Sequence, residues 1–247
     1  MTEDLFDPTT WVRELLGRQS KRDKQVRVGA SNLSNPCSRC LAFDLYGYTQ
    51  PVVQGRRSKY WLGARIGTAI HESLEAHNTD PDFESEVRVE LGAIPGYGTV
   101  KSTTDLYHPA SGTVVDYKTT TREKLEWIKR AVREEPNEYE VSAVAEARTK
   151  VVQYQTQTFL YGMGLIRSGR QVNRCALVFV CRDGKTDEDV WGFDYPYRPE
   201  QAQAAWDRGV LIWQWLELGG DPDELVPHPH CFRCTIAPPA DVEPIDL

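Results

Sequence analysis

A short segment rich in β-branched residues carries an aspartate and a lysine two positions apart, Asp116 and Lys118. Side chains alternate along a strand, so these two leave the same face of it. A second aspartate, Asp105, lies near the end of the preceding strand-like segment. Two carboxylates and one ammonium group at one edge of a sheet suit a divalent metal ion and the phosphate ester that it binds. The spacing predicts an enzyme.

Four of the six cysteines form two Cys-x-x-Cys pairs, Cys37 with Cys40 and Cys231 with Cys234. A two-residue spacer lets both sulfurs of a pair reach one metal ion or cluster. Two pairs, one near each end of the chain, predict a single tetrathiolate site, for which the symmetric spacing by itself suggests zinc. The alternative is two independent redox or surface pairs.

The composition is that of a globular protein, with 26% charged and 40% hydrophobic residues in a chain of 247. We expect one domain over 1–247, with a lead-in and the first cysteine pair in 1–58, the core in 59–196, and a last helix with the second pair in 197–247. The net charge of −7 argues only weakly against nucleic acid, because an acidic protein can carry a basic groove.

The sequence predicts no membrane span and no secretory signal, so we expect a soluble cytoplasmic protein. A basic run ends at Arg27. Such a run is usually a solvated face, but it could help to hold a phosphate backbone.

Hydrophobic periodicity and turn residues predict the elements that position these side chains. The expected strands are 83–91, 97–107, 113–119, 173–181 and 188–195, and the expected helices are 59–76, 122–135, 144–166 and 199–218. This order indicates an α/β sandwich with a mixed sheet.

The first of these helices has Gly63, Gly67 and His71 on one stripe. Each glycine costs about 1 kcal/mol relative to alanine in a helix interior. We expect close approach to a neighbouring element to compensate for that cost and to bring His71 down onto the sheet.

The ordered set formed by His71, Asp105, Asp116-Tyr117-Lys118 and then Gln157 with Tyr161 resembles the PD-(D/E)XK nuclease superfamily, specifically its RecB-like exonuclease branch. Each motif alone is degenerate, and the ordered set is far more specific. The resemblance implies a restriction-endonuclease-like α/β core with a mixed central sheet flanked by helices. A four-cysteine cap would join the N- and C-terminal segments.

The resemblance also implies roles for these residues. His71, Asp105, Asp116 and the backbone carbonyl of Tyr117 would hold Mg²⁺ or Mn²⁺. Asp105, Asp116 and Lys118 would be catalytic, with Lys118 positioning the attacking water or stabilising charge.

Gln157, Tyr161 and Tyr154 share one helical face and would contact DNA through hydrogen bonds to its backbone or stacking on a base. Alternatively, Tyr154 and Tyr161 would only pack in the hydrophobic core. His71 has a comparable alternative as a core histidine, and His230 is a further candidate ligand beside the second cysteine pair.

Members of this branch that carry an iron–sulfur cluster include CRISPR-associated adaptation exonucleases and AddB-type helicase–nuclease subunits. The resemblance therefore implies a 4Fe-4S cluster at the four cysteines. Those relatives usually place one cysteine before the core and three after it, whereas this chain has two and two, which keeps structural Zn²⁺ as the alternative.

The leading hypothesis is a metal-dependent DNA exonuclease acting on single strands or duplex ends, in recombination, repair or CRISPR-type processing. Recombination or CRISPR adaptation proteins would be its partners. The size also suits a phage-encoded protein in a host cytoplasm. One alternative is a non-catalytic nuclease-fold scaffold that binds DNA, and another is a zinc-stabilised endonuclease. The sequence does not predict the oligomeric state.

Overall fold

Five strands form one mixed sheet, and their spatial order follows their order in the chain. In the computed structural model, which describes residues 27–47, 51–134, 141–231 and 233–234, the strands are β1 (Glu84–Ile94), β2 (Gly98–His108), β3 (Thr113–Thr120), β4 (Arg174–Cys181) and β5 (Val190–Pro196). Neighbouring strands are antiparallel except for β3 and β4, which are parallel. The expected α/β fold with a mixed sheet is confirmed. The basic residues before Arg27 lie outside the described residues.

Six α-helices accompany the sheet in the described part of the chain. They are α1 (Ala30–Leu33), α2 (Ser38–Tyr46), α3 (Pro51–His77), α4 (Arg122–Arg133), α5 (Ser142–Arg167) and α6 (Pro199–Glu217). The parallel pair β3–β4 needs a long crossover connection, and α4 and α5 supply it. None of the described helices combines the length and apolarity that a membrane span requires.

The longest crossover helix, α5, packs directly on the sheet. A Cβ atom at Gly164 would lie 2.8 Å from Cβ of Val89 on β1, so only a glycine lets the two backbones approach this closely. Leu160 and Leu165 of the same helix are fully buried in the main hydrophobic core. The helix is therefore fixed against β1 and β2 by apolar burial, at about 25 cal/mol for each Å² removed from water.

Helix α3 begins at Pro51, earlier than the expected start near Lys59. The stretch between these residues contains Gly55 and several charged residues, and it shows little of the hydrophobic periodicity that predicts a helix. A proline is well suited to the first helical position, because its fixed φ fits the helix and its missing N–H would have no partner there.

The glycine stripe of α3 does face the sheet, as the sequence predicted. A Cβ atom at Gly67 would lie 3.0 Å from Oγ1 of Thr119 on β3, and one at Gly63 would lie 3.0 Å from Nη1 of Arg182. His71, one turn further along, consequently reaches the side chains of β2 and β3.

Strands β2 and β3 separate part of the way along their length. Their pairing runs only from His108–Thr113 to Leu106–Val115, whereas β3 continues to pair with β4 as far as Thr120. If the pairing of β2 with β3 continued in the same register, Asp105 would lie opposite Asp116. We call this point, where Asp105 and Asp116 end the pairing, the fork.

Replacement of Gly67 by leucine should force α3 away from Thr119. Overpacking of this kind costs about 1–3 kcal/mol, so the free energy of unfolding, measured by denaturant titration, should fall by that amount. Ala69→Leu on the exposed side of the same helix is the matched control, with an expected change within about 0.5 kcal/mol. Equal effects of the two substitutions would contradict the close helix–sheet contact.

Candidate active site and cysteine centre

Asp116, on β3, carries a carboxylate almost completely withdrawn from solvent, since the residue is 1% exposed. Its Oδ1 atom accepts a hydrogen bond of 3.3 Å from Nε2 of Gln157. Its Oδ2 atom forms an ion pair with Nζ of Lys118 but has no hydrogen-bond partner of suitable geometry. Burial raises the pKa of Asp116 to about 6, against the opposing effect of Lys118.

Lys118 lies on the same side of β3 as Asp116, which confirms the predicted alternation. Its Nζ atom also lies 5.0 Å from the centre of the Tyr154 ring, in a cation–π contact. Burial works against the charged ammonium group, but the carboxylates of Asp116 and Asp105 outweigh it and raise the pKa of Lys118. The lysine is thus held in its charged form between an anion and an aromatic face.

Asp105, on β2, joins the helix histidine to the sheet. Its Oδ1 atom lies 3.3 Å from Nδ1 of His71, and its Oδ2 atom accepts a 2.7 Å hydrogen bond from the backbone N–H of Tyr117. The hydrogen bond to Asp105 raises the pKa of His71, although burial opposes it. The carboxylate therefore takes the place of the missing ladder partner where β2 leaves β3.

The backbone of Glu86 departs from ordinary strand geometry beside Asp105. Its φ of 50° is the one positive value at a non-glycine residue in the described chain. The pairing of β1 with β2 skips this residue, between Ser85–Leu106 and Val87–Thr104. Such strain needs support from its surroundings and is common near functional groups, and the sequence gave no sign of it.

Gln157 and Tyr161 of α5 lie under the fork, 7% and 5% exposed. Nε2 of Gln157 donates to the Tyr161 hydroxyl as well as to Asp116. A chain of hydrogen bonds therefore runs from Tyr161 to the buried carboxylate. Tyr154, one turn earlier on α5, faces Lys118. Contact of these three residues with DNA stays a prediction.

The donor types at the fork suit a hard divalent cation, although the ligand atoms of His71, Asp105 and Asp116 do not all lie within 4.8 Å of one another. Asp116 offers a buried oxygen without a hydrogen bond, Asp105 offers a second oxygen, and His71 offers a nitrogen that would favour Mn²⁺ over Mg²⁺. These groups are at present joined in pairs, His71 with Asp105 and Lys118 with Asp116. The two basic side chains thus neutralise the carboxylates that a metal would otherwise bind.

The four cysteines of the two pairs converge, as predicted. Among the described residues, Cys37, Cys40, Cys231 and Cys234 are the one group of at least three possible metal ligands whose atoms all lie within 4.8 Å of one another. The Sγ atom of Cys40 lies 3.4 Å from the Sγ atoms of both Cys231 and Cys234, and the Sγ atom of Cys37 lies 3.7 Å from that of Cys234. The arrangement is a possible metal site. His230 is not part of it.

Arginine side chains surround this centre. Arg208 of α6 donates to the backbone carbonyls of Leu33 and Pro36, at 2.8 and 3.2 Å, and so holds the segment that leads into Cys37. Arg233, between the second pair of cysteines, binds Asp44 of α2 at 2.8 Å. Cationic groups near four thiolates offset the negative charge that a metal–thiolate centre accumulates.

The two remaining cysteines belong to the core. Cys175 and Cys181 are 0% and 7% exposed on β4, and burial raises the pKa of Cys175 to about 12. They behave as small apolar residues.

Sequence comparison gives no relatives, since no protein-family model and no curated protein matches the chain. Solved structures give distant likenesses. The protein SSO0001 has a TM-score of 0.45 at 12% identity, over 86% of this chain and 84% of that one. A phage-related exonuclease from Haemophilus somnus 129PT has a TM-score of 0.39 at 14% identity, over 84% and 93%. An alkaline exonuclease from Laribacter hongkongensis has 0.41 at 11%, over 78% and 89%. Likeness this low assigns neither family nor activity.

Removal of metal from the four cysteines should destabilise the protein. A ligand that binds only the folded state adds RT ln(1 + [L]/Kd), about 2.7 kcal/mol at a hundredfold excess over Kd, and a chelator should remove a contribution of this size. Cys40→Ser should lower Tm similarly and make it insensitive to chelator. Cys175→Ala, outside the centre, should keep the chelator response. Unchanged Tm on chelation of the wild type would contradict a structural metal.

Proposed function

We propose that this chain is a divalent-metal-dependent nuclease that hydrolyses phosphodiester bonds of DNA, working as an exonuclease on single strands or duplex ends. The observation that carries the proposal is the buried carboxylate of Asp116, across the fork from Asp105 and paired with Lys118. A structural protein gains little from a buried ion pair, since desolvation costs several kcal/mol for each ion. A catalytic site needs such groups.

The proposed roles follow from these contacts. Asp105, Asp116, His71 and the carbonyl of Tyr117 would hold the cation, which supplies Lewis acidity at the scissile phosphate. Hydrolysis adds the hydroxyl of water to phosphorus and breaks a P–O bond, and the leaving oxygen takes up a proton. Lys118, held in its charged form by its two carboxylate neighbours, would orient the attacking water and offset the growing negative charge.

The resemblance to PD-(D/E)XK nucleases supports the same function from the sequence side. The placement of His71 on a helix over the sheet and of the carboxylates on adjacent strands agrees with that resemblance. A scaffold without catalysis would not require Asp105, Asp116 and Lys118 together.

The test is degradation of end-labelled linear DNA, single- and double-stranded, with Mn²⁺ or Mg²⁺. Wild type should release label, whereas Asp116→Asn and Lys118→Ala should lose at least about 100-fold in rate, as is usual for loss of a group that stabilises the transition state. Lys124→Ala, on an exposed part of α4, controls for loss of one positive charge.

Closed circular DNA separates the modes of attack. Resistance of circles beside degradation of linear DNA supports the exonuclease, and cutting of circles supports an endonuclease. Binding of DNA without cleavage under either metal would replace the proposal with the scaffold alternative.

We further propose that the four cysteines hold a single tetrahedral ion, for which Zn²⁺ is the best fit. A tetrahedral zinc with bonds of about 2.3 Å to sulfur sets its sulfurs about 3.8 Å apart. Three of the six Sγ separations, at 3.4 to 3.7 Å, are close to that value, and all six are within 4.8 Å. In a 4Fe-4S cluster each cysteine binds a different iron, so the cluster itself would keep the sulfurs further apart.

Anaerobic purification followed by elemental analysis decides the identity of this metal. We expect one zinc for each chain, no iron, and no broad absorbance near 400 nm. Cys231→Ser should lose the zinc and Cys181→Ser should retain it. Four irons for each chain with the visible band would overturn the zinc proposal and restore the cluster that the family resemblance implies.

A further inference from the structure

A cavity of about 610 Å³ lies beside the fork, along the part of β2 that has left β3. Its walls come from the segment that contains α1, from β1 and β2, and from α5. The lining residues are Arg27, Ser31, Arg88, Lys101, Ser102, Thr103 and Tyr161. Every one of them carries a group that can donate a hydrogen bond.

Three of these side chains are cationic, in a chain whose net charge is −7. Arg88 of β1 stands opposite Thr103 of β2, and Lys101 stands opposite Glu90. Glu90 does not line the cavity, so no carboxylate lies among the lining residues. A concave surface with positive charge and no acidic group in its lining attracts anions.

The position of Arg27 in this wall is fixed by its neighbours. The backbone N–H of Val28 donates to the Tyr97 hydroxyl at 2.9 Å, and that of Ala30 donates to Oγ of Ser102 at 3.3 Å. These bonds tie the segment to Tyr97, just before β2, and to Ser102 in the free part of β2. Arg27 is also the last residue of the basic run that the sequence had marked as a possible phosphate contact.

Tyr161 connects the cavity with the proposed catalytic group. It lines the cavity, and its hydroxyl accepts the hydrogen bond from Gln157, whose amide also binds Asp116. Only two side chains therefore separate the cavity from the buried carboxylate.

We propose that this cavity binds the backbone phosphates of one DNA strand next to the nucleotide that is cleaved, through Arg27, Arg88 and Lys101. The inference rests on the proposed nuclease function and specifies how its substrate is held. A cavity of this volume has room for part of one strand, and the hydroxyl groups of Ser31, Ser102 and Thr103 suit phosphate and sugar oxygens. The proposal includes a preference for single-stranded over double-stranded DNA.

The test measures binding separately from cleavage. Fluorescein-labelled oligo-dT is titrated with protein in buffer without added Mg²⁺ or Mn²⁺ and without chelator, so that the cysteine centre stays intact, and fluorescence anisotropy gives Kd at several salt concentrations. Arg88→Gln/Lys101→Gln should raise Kd at least about tenfold and reduce the slope of log K against log salt by about 1.4, since each phosphate contact on a single strand contributes about 0.7. Arg198→Gln/Lys124→Gln removes the same charge from exposed positions and should change neither quantity appreciably.

Equal weakening by both double variants would reduce the cavity to a general charge effect and overturn the proposal, as would no weakening by either. The same titration with oligo-dT annealed to oligo-dA should show a smaller difference between the variants; an equal or larger one would overturn the single-strand preference. With cleavage rates measured over a range of DNA concentrations, Arg88→Gln/Lys101→Gln should raise KM and leave kcat nearly unchanged. If wild type binds but cleaves nothing, the nuclease proposal fails while the binding result still decides the cavity.

Discussion

The structure depends on keeping one ionised carboxylate, that of Asp116, in the protein interior. Removing an ion from water costs several kcal/mol unless charge and hydrogen bonds compensate for it, and at Asp116 the compensation comes from the groups that face its two carboxylate oxygens. This cost explains which groups surround the Asp116 carboxylate. Lys118 supplies the opposite charge, Gln157 supplies a donor, and Asp105 stays outside the buried pair at the fork, where its proximity raises the pKa of Asp116 further.

The separation of β2 and β3 at the fork keeps the carboxylates of Asp105 and Asp116 from facing each other directly. If β2 and β3 remained paired past Leu106, Asp105 and Asp116 would stand directly opposite each other in a continuous ladder, and like charges in that position are destabilising. Separation of the strands lets Asp105 turn to His71 and to the backbone N–H of Tyr117 instead. It also frees one side of β2, and that side forms a wall of the basic cavity. The proposed catalytic site and the proposed substrate site thus have one common cause.

Local patterns in the sequence were sufficient to predict the strand that contains Asp116 and Lys118, because the two-residue repeat of a strand places both side chains on the same side. They were also sufficient for the glycine stripe of α3, since interior glycines imply close packing. They could not give the fork, which depends on where pairing between two distant strands stops, nor the left-handed backbone of Glu86. The cavity escaped prediction for the same reason, because Arg88 and Lys101 lie on separate strands and share one wall only through the register of β1 and β2.

The cysteine centre is physically linked to this region, although it lies outside the sheet. It joins the start of α2 to the segment near residue 234, and Arg208 binds the carbonyl groups between α1 and Cys37. The segment of α1 is in turn hydrogen-bonded to Ser102 of β2. A metal that fixes Cys37 therefore restricts the same short stretch that carries Arg27 and Ser31 into the cavity wall. Pre-organising a binding surface lowers the ordering cost of association, so the metal centre would contribute to substrate affinity without touching the substrate.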